Sequence, residues 1–565
     1  MKILLTAINA KYIHTSLAVR CLYRALEGKC DVQMVEYTIN EQADAITGGI
    51  YRYHADVVAF SCYIWNISLV LRVCADLKQA APNCKILLGG YEVSYDPEAI
   101  LRDHPAVDYI LCGEGEHSIC ELVAALQEGR PLDGVCGLVW RQAEQIHSNP
   151  LSRFFPPLDT LPFVYDRGLD VNPGQIVYYE TSRGCPYSCA YCLSGAPGNV
   201  RFLPLERVKQ ELQFFIDHEV PLVKLVDRTF NADARRAREI FRYLIQHPGK
   251  TRFHFELAGD LLDDETLGLL ETAPSGLMQF EIGIQSTNED TISNVSRAIS
   301  FARLEEKITR LLAKGNIHIH VDLIAGLPYE GLRRFRQSVN QVLALRPHVL
   351  QLGFLKLLKG SRLRAEADRY GYRFQPHPPY EVIANRWMSY SDILELKDVE
   401  DILNRYYNSG CFPKAMAFLF AQAEGDCYAV LHMLAVYFRG NGLFDRSLSR
   451  QALYQVLAER YKTFGVPFLE ALTWDYVQSH SGAHLPEWSP VRLDEEKRQR
   501  LHDYIGDTGW IARRLPHLAG MHPKQIAKRV QLVPFSMGVY LFDQQAGMVL
   551  DVSQDFCCKN GEMPV

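Results

Sequence analysis

Cys185, Cys189 and Cys192 stand in the run Thr181-Ser182-Arg183-Gly184-Cys185-Pro186-Tyr187-Ser188-Cys189-Ala190-Tyr191-Cys192. The spacing is C-x3-C-x2-C, with an aromatic immediately before the last thiol. Three thiolates on one short loop wrap three corners of a cubane [4Fe-4S] cluster and leave its fourth iron without a protein ligand. An open metal position is where chemistry occurs, whereas a closed one is structural. Two plainer readings stand beside this one, a zinc site and a chance cluster of buried thiols. Structural zinc takes four protein ligands, and no fourth Cys or His lies within a dozen residues of Cys192. The open cluster is the reading the loop favours.

The chain that must position this loop has 565 residues, too many for one core and consistent with three domains. Its 48% hydrophobic and 22% charged residues are ordinary for a globular protein. A net charge of −6 provides no global attraction to nucleic acid, though a local basic patch stays open. The longest apolar runs, 415–421 and 433–438, fall far short of the ~20 residues of a membrane span. The start, MKILLTAINAKYIH, enters a strand-like segment without a small-residue cleavage site and does not read as a signal peptide. Fifteen scattered cysteines, eight of them before residue 140, suit buried thiols rather than a disulfide framework. A reducing cytoplasm is the expected compartment.

Residues 1–145 alternate apolar runs with amphipathic stretches, which predicts a doubly wound α/β sheet. Strands are expected at 2–7, 32–37, 57–62, 86–89 and 109–112, with helices at 17–26, 67–79 and 116–126. Residues 146–174, rich in Pro and Asp, read as a linker. A second βα series runs through 175–370, with strands at 176–180, 223–226, 253–256, 278–284, 318–324 and 349–354. Six such units suit a partial (β/α)6 barrel better than a closed eight-fold one. Residues 371–565 read as a mostly helical domain, with helices at 428–438 and 449–464 and a strand pair at 535–542 and 548–552.

The cysteine loop, with its aromatic, resembles the radical S-adenosylmethionine (SAM) superfamily. The resemblance implies that the amino and carboxylate groups of SAM bind the open iron. An electron from the cluster then cleaves SAM to a 5′-deoxyadenosyl radical. Tyr191 and the strand ends behind the loop become SAM-binding candidates. Asp227 lies in Val226-Asp227-Arg228-Thr229-Phe230-Asn231, and Glu281, Gln285 and Ser286 end another strand. Arg297 is expected to hold the SAM carboxylate through its planar fork. The run Asp322-Leu323-Ile324-Ala325-Gly326-Leu327-Pro328-Tyr329-Glu330 is similar to the superfamily's adenine-flanking strand and turn, with Ile324 and Gly326 as contacts.

The N-terminal domain lacks a dinucleotide fingerprint and a Walker loop. It has glycines at strand ends, where open α/β sheets bind ligands. Leu88-Gly89-Gly90 ends one strand and Cys112-Gly113-Glu114-Gly115-Glu116 the next. This pattern resembles a cobalamin-binding domain, whose first loop reads D-x-H-x-x-G. Here Tyr12-Ile13-His14-Thr15-Ser16-Leu17 keeps the His and lacks the Asp and the Gly. Ser61-Cys62-Tyr63 stands for the S-x-L segment. Cobalamin contacts are expected from His14, Thr15, Ser61, Tyr63, Trp65, Gly89, Gly90, Gly113, Glu114 and Gly115. Without the Asp that tunes a ligating imidazole, His14 is expected not to bind cobalt. Its alternative role is a helix-entry residue bonding local backbone.

Together these resemblances cover roughly residues 1–370, and the C-terminal part is similar to an uncharacterised accessory domain. Arg513, Arg514, Lys524, Lys528 and Arg529 are either an RNA-facing patch or, as the acids at 494–496 favour, a solvated helix face. Cys557-Cys558 is either an extra ligand pair or thiols on a frayed tail. The resemblance implies a cobalamin-dependent radical SAM enzyme using a [4Fe-4S] cluster, SAM and cobalamin. Its expected role is a methyltransferase acting on an unactivated carbon, with flavodoxin or ferredoxin as electron donor. A cobalamin-assisted rearrangement or cyclisation uses the same parts, and a cobalamin sensor with a structural cluster is the alternative of another class. No catalytic side chain and no substrate is read from the sequence.

Overall fold

The structure is a computed structural model that describes residues 1–151, 156–169, 171–172, 174–193, 200–297, 299–480 and 484–557. It divides into two compact units, Met1–Ile393 and Leu394–Val565.

Short runs of consecutive apolar residues cannot lie at a surface, and they form the centre of the first sheet. Its strands are β1 (Lys2–Asn9), β2 (Asp31–Thr38), β3 (Val57–Ser61), β4 (Lys85–Gly89) and β5 (Tyr109–Leu111). A hairpin, β6 (Leu138–Gln142) and β7 (Gln145–Ser148), follows. The order is β2-β1-β3-β4-β5-β6-β7; the first five are parallel and the hairpin joins antiparallel. Helices α1 (Leu17–Leu26), α2 (Ala43–Tyr51), α3 (Ile67–Ala80), α4 (Pro97–Asp103) and α5 (Gly115–Glu128) connect them. Leu4, Val58 and Ile86 enter one core while Ile3, Leu5 and Leu87 enter another, so both sheet faces are covered. The chain reverses its winding between β1 and β3, and the carboxyl ends there frame the crevice where such sheets take ligands. Ser16 caps α1 by accepting from the Val19 N–H at 3.4 Å.

In the second sheet all six main strands are parallel. β8 (Val177–Tyr179) precedes a two-residue ladder, β9 (Ser182–Arg183) with β10 (Arg201–Phe202), through which the cysteine loop leaves and returns. Then come α6 (Leu205–Asp217), β11 (Leu222–Leu225), α7 (Ala234–Gln246), β12 (Arg252–Leu257), α8 (Asp264–Leu270) and β13 (Met278–Gln285). After them lie α9 (Glu289–Asn294), α10 (Phe301–Lys314), β14 (His318–Ala325), α11 (Leu332–Ala344) and β15 (Val349–Phe354). The order β15-β14-β13-β12-β11-β8 follows the chain with its two ends unpaired to each other, as in an open barrel. The face turned to the helices is apolar, with Phe253, Phe255, Phe280, Ile282, Val321 and Leu323 buried.

Among its described residues the second unit carries the helices Pro413–Gln422, Cys427–Gly440, Arg450–Arg460, Gly465–Ser479 and Glu495–Gly506, then the short Thr508–Arg514 and Pro523–Arg529 and a three-stranded antiparallel sheet. The expected strand at 535–542 is in fact two, Val530–Phe535 and Gly538–Asp543, reversed by a turn at Ser536-Met537. The 449–464 helix ends at Arg460 and closes with a separate 3-10 turn, Lys462–Phe464. Trp510 is buried, Arg514 pairs with Asp555 at 2.6 Å and Arg529 with Asp543 at 2.9 Å. Two members of the basic run are thus committed to their own unit, while Arg513, Lys524 and Lys528 are exposed. Cys558 lies outside the described residues, as do parts of the 146–174 linker. Among the described residues no helix is long and apolar enough to cross a membrane.

Candidate metal and cofactor site

The loop bearing the three thiols is anchored by a carboxylate it does not contain. Asp227, just beyond β11, is fully buried and accepts from Thr181 N at 3.0 Å, Thr181 Oγ1 at 2.7 Å and Ser182 Oγ at 2.5 Å. Burial pushes its pKa up, and the Ser182 and Thr181 hydrogen bonds oppose that. Its oxygens are spent on the loop, so this SAM candidate acts through the loop's position. Ala190 is held from both sides, donating to Val295 O and accepting from Leu363 N, each at 2.9 Å. Cys185 Sγ lies 3.4 Å from Thr229 Oγ1. Burial raises Cys189, and the Arg297 guanidinium, with Nη1 4.0 Å from its sulfur, opposes that. Among the described residues no three His, Cys, Asp or Glu side chains converge on a single ion. A cubane needs no such convergence, because its ligands bind different irons.

Arg297 organises the remaining SAM candidates. Its Nη2 donates to Gly283 O at 2.7 Å and its Nη1 to Tyr191 OH at 3.1 Å, while its Nε is buried without a partner among the described residues. Gln285 sits at φ +70 with Oε1 likewise buried and unpartnered. Buried polar atoms of this kind are expected to meet a ligand. Gly326, at φ +91, directs its carbonyl to Tyr372 OH at 3.0 Å and Asn385 Nδ2 at 2.8 Å. Ile324 is half-buried in the preceding strand. Ser286 Oγ accepts from Asn288 N at 2.9 Å, which makes it part of the turn.

Glu281 belongs to a polar layer that the sequence reading did not assemble. Strand register aligns Tyr178, Lys224, His254, Gln279 and His318 in one row, Glu256, Glu281 and His320 in the next, and Gly283 with Asp322 in a third. Lys224 Nζ lies 3.1 Å from Glu281 and 3.6 Å from Glu256, and His254 Nε2 lies 3.1 Å from Glu281. Burial disfavours the Glu281 charge, but His254 and Lys224 outweigh it and hold the carboxyl well below its ordinary range. The signal was available. β12, β13 and β14 read RFHFEL, MQFEIGIQ and HIHVDLIA, alternating polar and apolar residues where a parallel sheet covered on both faces carries apolar runs.

At the carboxyl edge of the first sheet an apolar rim surrounds the winding switch. Tyr12 is 59% exposed and Trp65 47%, with Ile13, Tyr91 and Tyr95 exposed beside them. Tyr63 stacks on Trp65 with ring centroids 4.3 Å apart. Ser61 lies at the end of β3, its carbonyl accepting from Asn66 Nδ2 at 2.9 Å. A flat, largely apolar macrocycle with polar edges suits such a rim. Burial, then Tyr91 and Cys192, raise the Tyr95 phenol, so this edge faces the cysteine loop. Gly89 is open, its nearest obstacle being Leu111 O at 3.6 Å from a Cβ. Gly90 is glycine for another reason: it sits at φ +111, and a Cβ would lie 2.5 Å from Cys62 O. Gly90→Val therefore disrupts the β3–β4 junction itself and cannot isolate cofactor contact. Gly113 has φ +86, and Gly115 opens α5.

The His14 loop is stitched to the second sheet. Thr15 Oγ1 donates to Ile176 O at 2.9 Å, Ile176 N to Ile13 O at 2.8 Å, and Gln175 Nε2 to Tyr12 O at 2.9 Å. His14 Nδ1 lies 2.6 Å from Tyr178 OH, a partner 164 residues away. Burial first, then Lys11 and Lys224, lower its pKa. The cob(II)alamin form of the protein is expected to give an electron paramagnetic resonance spectrum without nitrogen triplets on its axial lines. Triplets that vanish in His14→Ala would show that the imidazole reaches cobalt.

Glu114 and Glu116 face the cysteine loop's base. Arg183 bonds Glu114 at 3.0 Å, Glu116 at 2.5 Å and Glu180 at 2.6 Å, and Glu114 also pairs with Arg201. The Gly-Glu-Gly-Glu segment thereby clamps the first sheet to the β9–β10 ladder. Glu114, expected at cobalamin, is occupied by this clamp.

Comparison with known proteins fits this geometry. Residues 3–123 match the B12 binding domain, 179–342 the radical SAM superfamily, and 368–550 a protein family of unknown function, DUF4080. The cobalamin-dependent radical SAM methyltransferase TokK of Streptomyces tokunonensis is 28% identical over 60% of this chain and 52% of its own. The 2-(S-pantetheinyl)-carbapenam-3-carboxylate methyltransferase of Streptantibioticus cattleyicolor is 29% identical over 80% of this chain and 65% of its own. The chain thus spans about half to two thirds of the length of these relatives. The solved radical SAM methyltransferase TsrM from Kitasatospora setae shares the fold, with a TM-score of 0.56 at 18% identity over 65% of this chain and 76% of that one. The chain thus carries a B12-binding domain and a radical SAM domain, homologous to those of cobalamin-dependent radical SAM methyltransferases, with a DUF4080 region at its C-terminal side.

Proposed function

We propose that this chain is a cobalamin-dependent radical SAM methyltransferase acting on an unactivated carbon, in the cytoplasm and with a flavodoxin or ferredoxin as reductant. The observation that carries the reading is a juxtaposition. A three-thiol loop, the unpartnered Arg297 Nε and Gln285 Oε1, and an exposed aromatic rim at the switch of a B12-type sheet share one unit. When bound, the cluster, SAM and cobalamin supply an electron, a 5′-deoxyadenosyl radical and a transferable methyl group.

The chain's own residues position these groups. Cys185, Cys189 and Cys192 would hold three irons of the cluster, and Asp227 fixes the loop from which they project. Arg297, already oriented by Gly283 O and Tyr191 OH, presents cationic N–H donors to the carboxylate of SAM. Gln285, Ile324 and the Gly326 turn line the strand ends beside it. Tyr12, Tyr63, Trp65 and Tyr91 cover an apolar cofactor face and exclude water. The clamp of Glu114 and Glu116 on Arg183 fixes the distance between the two sheets, which sets where a radical and a methyl donor meet. The test uses anaerobically reconstituted, cobalamin-loaded protein and SAM with a deuterated methyl group. Label is expected on protein-bound cobalamin. Cobalamin that binds stoichiometrically but never acquires label would contradict the methyltransferase reading.

A further inference from the structure

The polar rows inside the second sheet exceed what cofactor binding requires. Glu256, Glu281 and Asp322 come from three successive strands and lie on the same sheet face at adjoining register rows. The cations near them are already engaged. Lys224 lies nearest Glu281, at 3.1 Å, and Arg297 bonds Gly283 O and Tyr191 OH; both favour the Asp322 charge through their fields, while burial, Glu281 and Glu256 oppose it. The remaining side chains of the layer are Tyr178, Gln279, His254, His318 and His320, and Arg228 also acts on Glu256 from just beyond β11. Burial first, then His318 and His254, push His320 down to about 4. Glu256 has only the Lys224 contact at 3.6 Å. Asp322 has none: its Oδ1 is buried with no partner among the described residues. Burial, then Glu281 and Glu256, push its pKa well above the ordinary carboxyl value.

A buried carboxyl without a donor is costly. It persists where a ligand completes it, and the group that completes a carboxyl flanked by two carboxylates is a cation. We infer that this chamber receives a substrate carrying a cationic nitrogen, an ammonium or a guanidinium, seated against Asp322 with Glu256 alongside. The inference rests on the methyltransferase reading only for the word substrate; the cation seat stands on the geometry. The α-ammonium of SAM carries the same chemistry, and the experiment separates the two sources. Seating the cation would let Asp322 ionise, so its proton leaves to solvent as the ligand enters.

The experiment is isothermal titration of the full chain, loaded with cluster, cobalamin and SAM. The probes are agmatine and cadaverine, with 1,5-pentanediol and glutarate as uncharged and anionic controls of similar length. Buffers of different ionisation enthalpy report proton transfer. Both cations are expected to bind at least about tenfold more tightly than either control. Their binding is also expected to release protons, because a seated cation opposes the burial and like charges that raise the Asp322 pKa. Asp322→Asn, equal in size, is expected to weaken the cations by about tenfold or more and abolish the proton release, with SAM affinity unchanged. Glu256→Gln is the second variant should the first not fold, with a loss of at least about threefold expected. Binding without charge preference, or cation binding unchanged in the variants, would overturn the inference. Loss of SAM affinity in Asp322→Asn with cation binding intact would assign the seat to SAM and also overturn it. Cation binding that behaves as expected in a protein that never methylates its cobalamin would overturn the methyltransferase reading alone.

Discussion

Replacing Cys185, Cys189 and Cys192 together with Ala is expected to remove the cluster's visible absorbance and all of the roughly four irons and four sulfides held by the reconstituted protein. SAM cleavage should fall to background, because the cluster is the source of the electron and nothing else near the loop replaces it. The fold should survive. The loop is held by Asp227 on Thr181 and Ser182 and by the two backbone bonds of Ala190, none of which uses a thiol. Removing three small side chains, only one of them buried, should cost on the order of 1 kcal/mol. Iron analysis and calorimetry on the same preparation check both halves. A variant that retains a full cluster would place the iron elsewhere, and one that unfolds would show that the thiols themselves hold the loop.

The second large effect lies at the clamp. Arg183→Met keeps most of the side chain's bulk and removes the fork that three carboxylates share. The Arg183 side chain is 17% exposed and that of Glu116 11%, so the network is partly buried and the acids it leaves behind repel one another. Removing one member of a buried charge network costs about 3–5 kcal/mol, and partial exposure brings the expectation to ~3 kcal/mol. Thermal unfolding of the Met1–Ile393 unit is expected to fall by roughly 4 °C. Glu114→Gln with Glu116→Gln in the same chain should recover much of that loss, since it removes the stranded charges. Because the clamp spans the two sheets, methyl transfer from SAM to cobalamin should drop more than SAM cleavage does. Equal losses in the two reactions would mean that the clamp serves stability alone.

Much of the architecture was legible because buried parallel strands announce themselves as apolar runs. The helix at Leu17–Leu26 and the strand at Val349–Phe354 fall where periodicity places them, and the other main strands of both sheets differ by one or two residues at an end. What escaped had no such signal. α2, ADAITGGIY, is a poor helix former with paired glycines, held by burying Ile46 and Ile50. The β9–β10 ladder is two residues long. The turn at Ser536-Met537 interrupts an apolar run and depends on Gly538, at φ +149, rather than on a polar break. In the site, the three cysteines stood out by their spacing and Arg297 through the resemblance, and the structure brings Arg297 to 4.0 Å from Cys189 Sγ. The roles of Asp227, Glu114 and Thr15 were not, because each bonds a partner 46 to 161 residues away. Gly90 shows the opposite error, since a strand-end glycine that suggests a ligand is required by the chain's own backbone. The polar chamber was visible as alternation within parallel strands, yet each strand alone resembles a half-exposed edge.

The most direct test of the central claim is reductive cleavage of SAM by the reconstituted full chain. Dithionite-reduced protein, incubated anaerobically with SAM, is expected to form 5′-deoxyadenosine, and none should appear with the three-alanine variant. Intact SAM beside a fully reduced, four-iron cluster would contradict the account, because the open iron would then be a structural site and the polar chamber behind it would have no radical to serve.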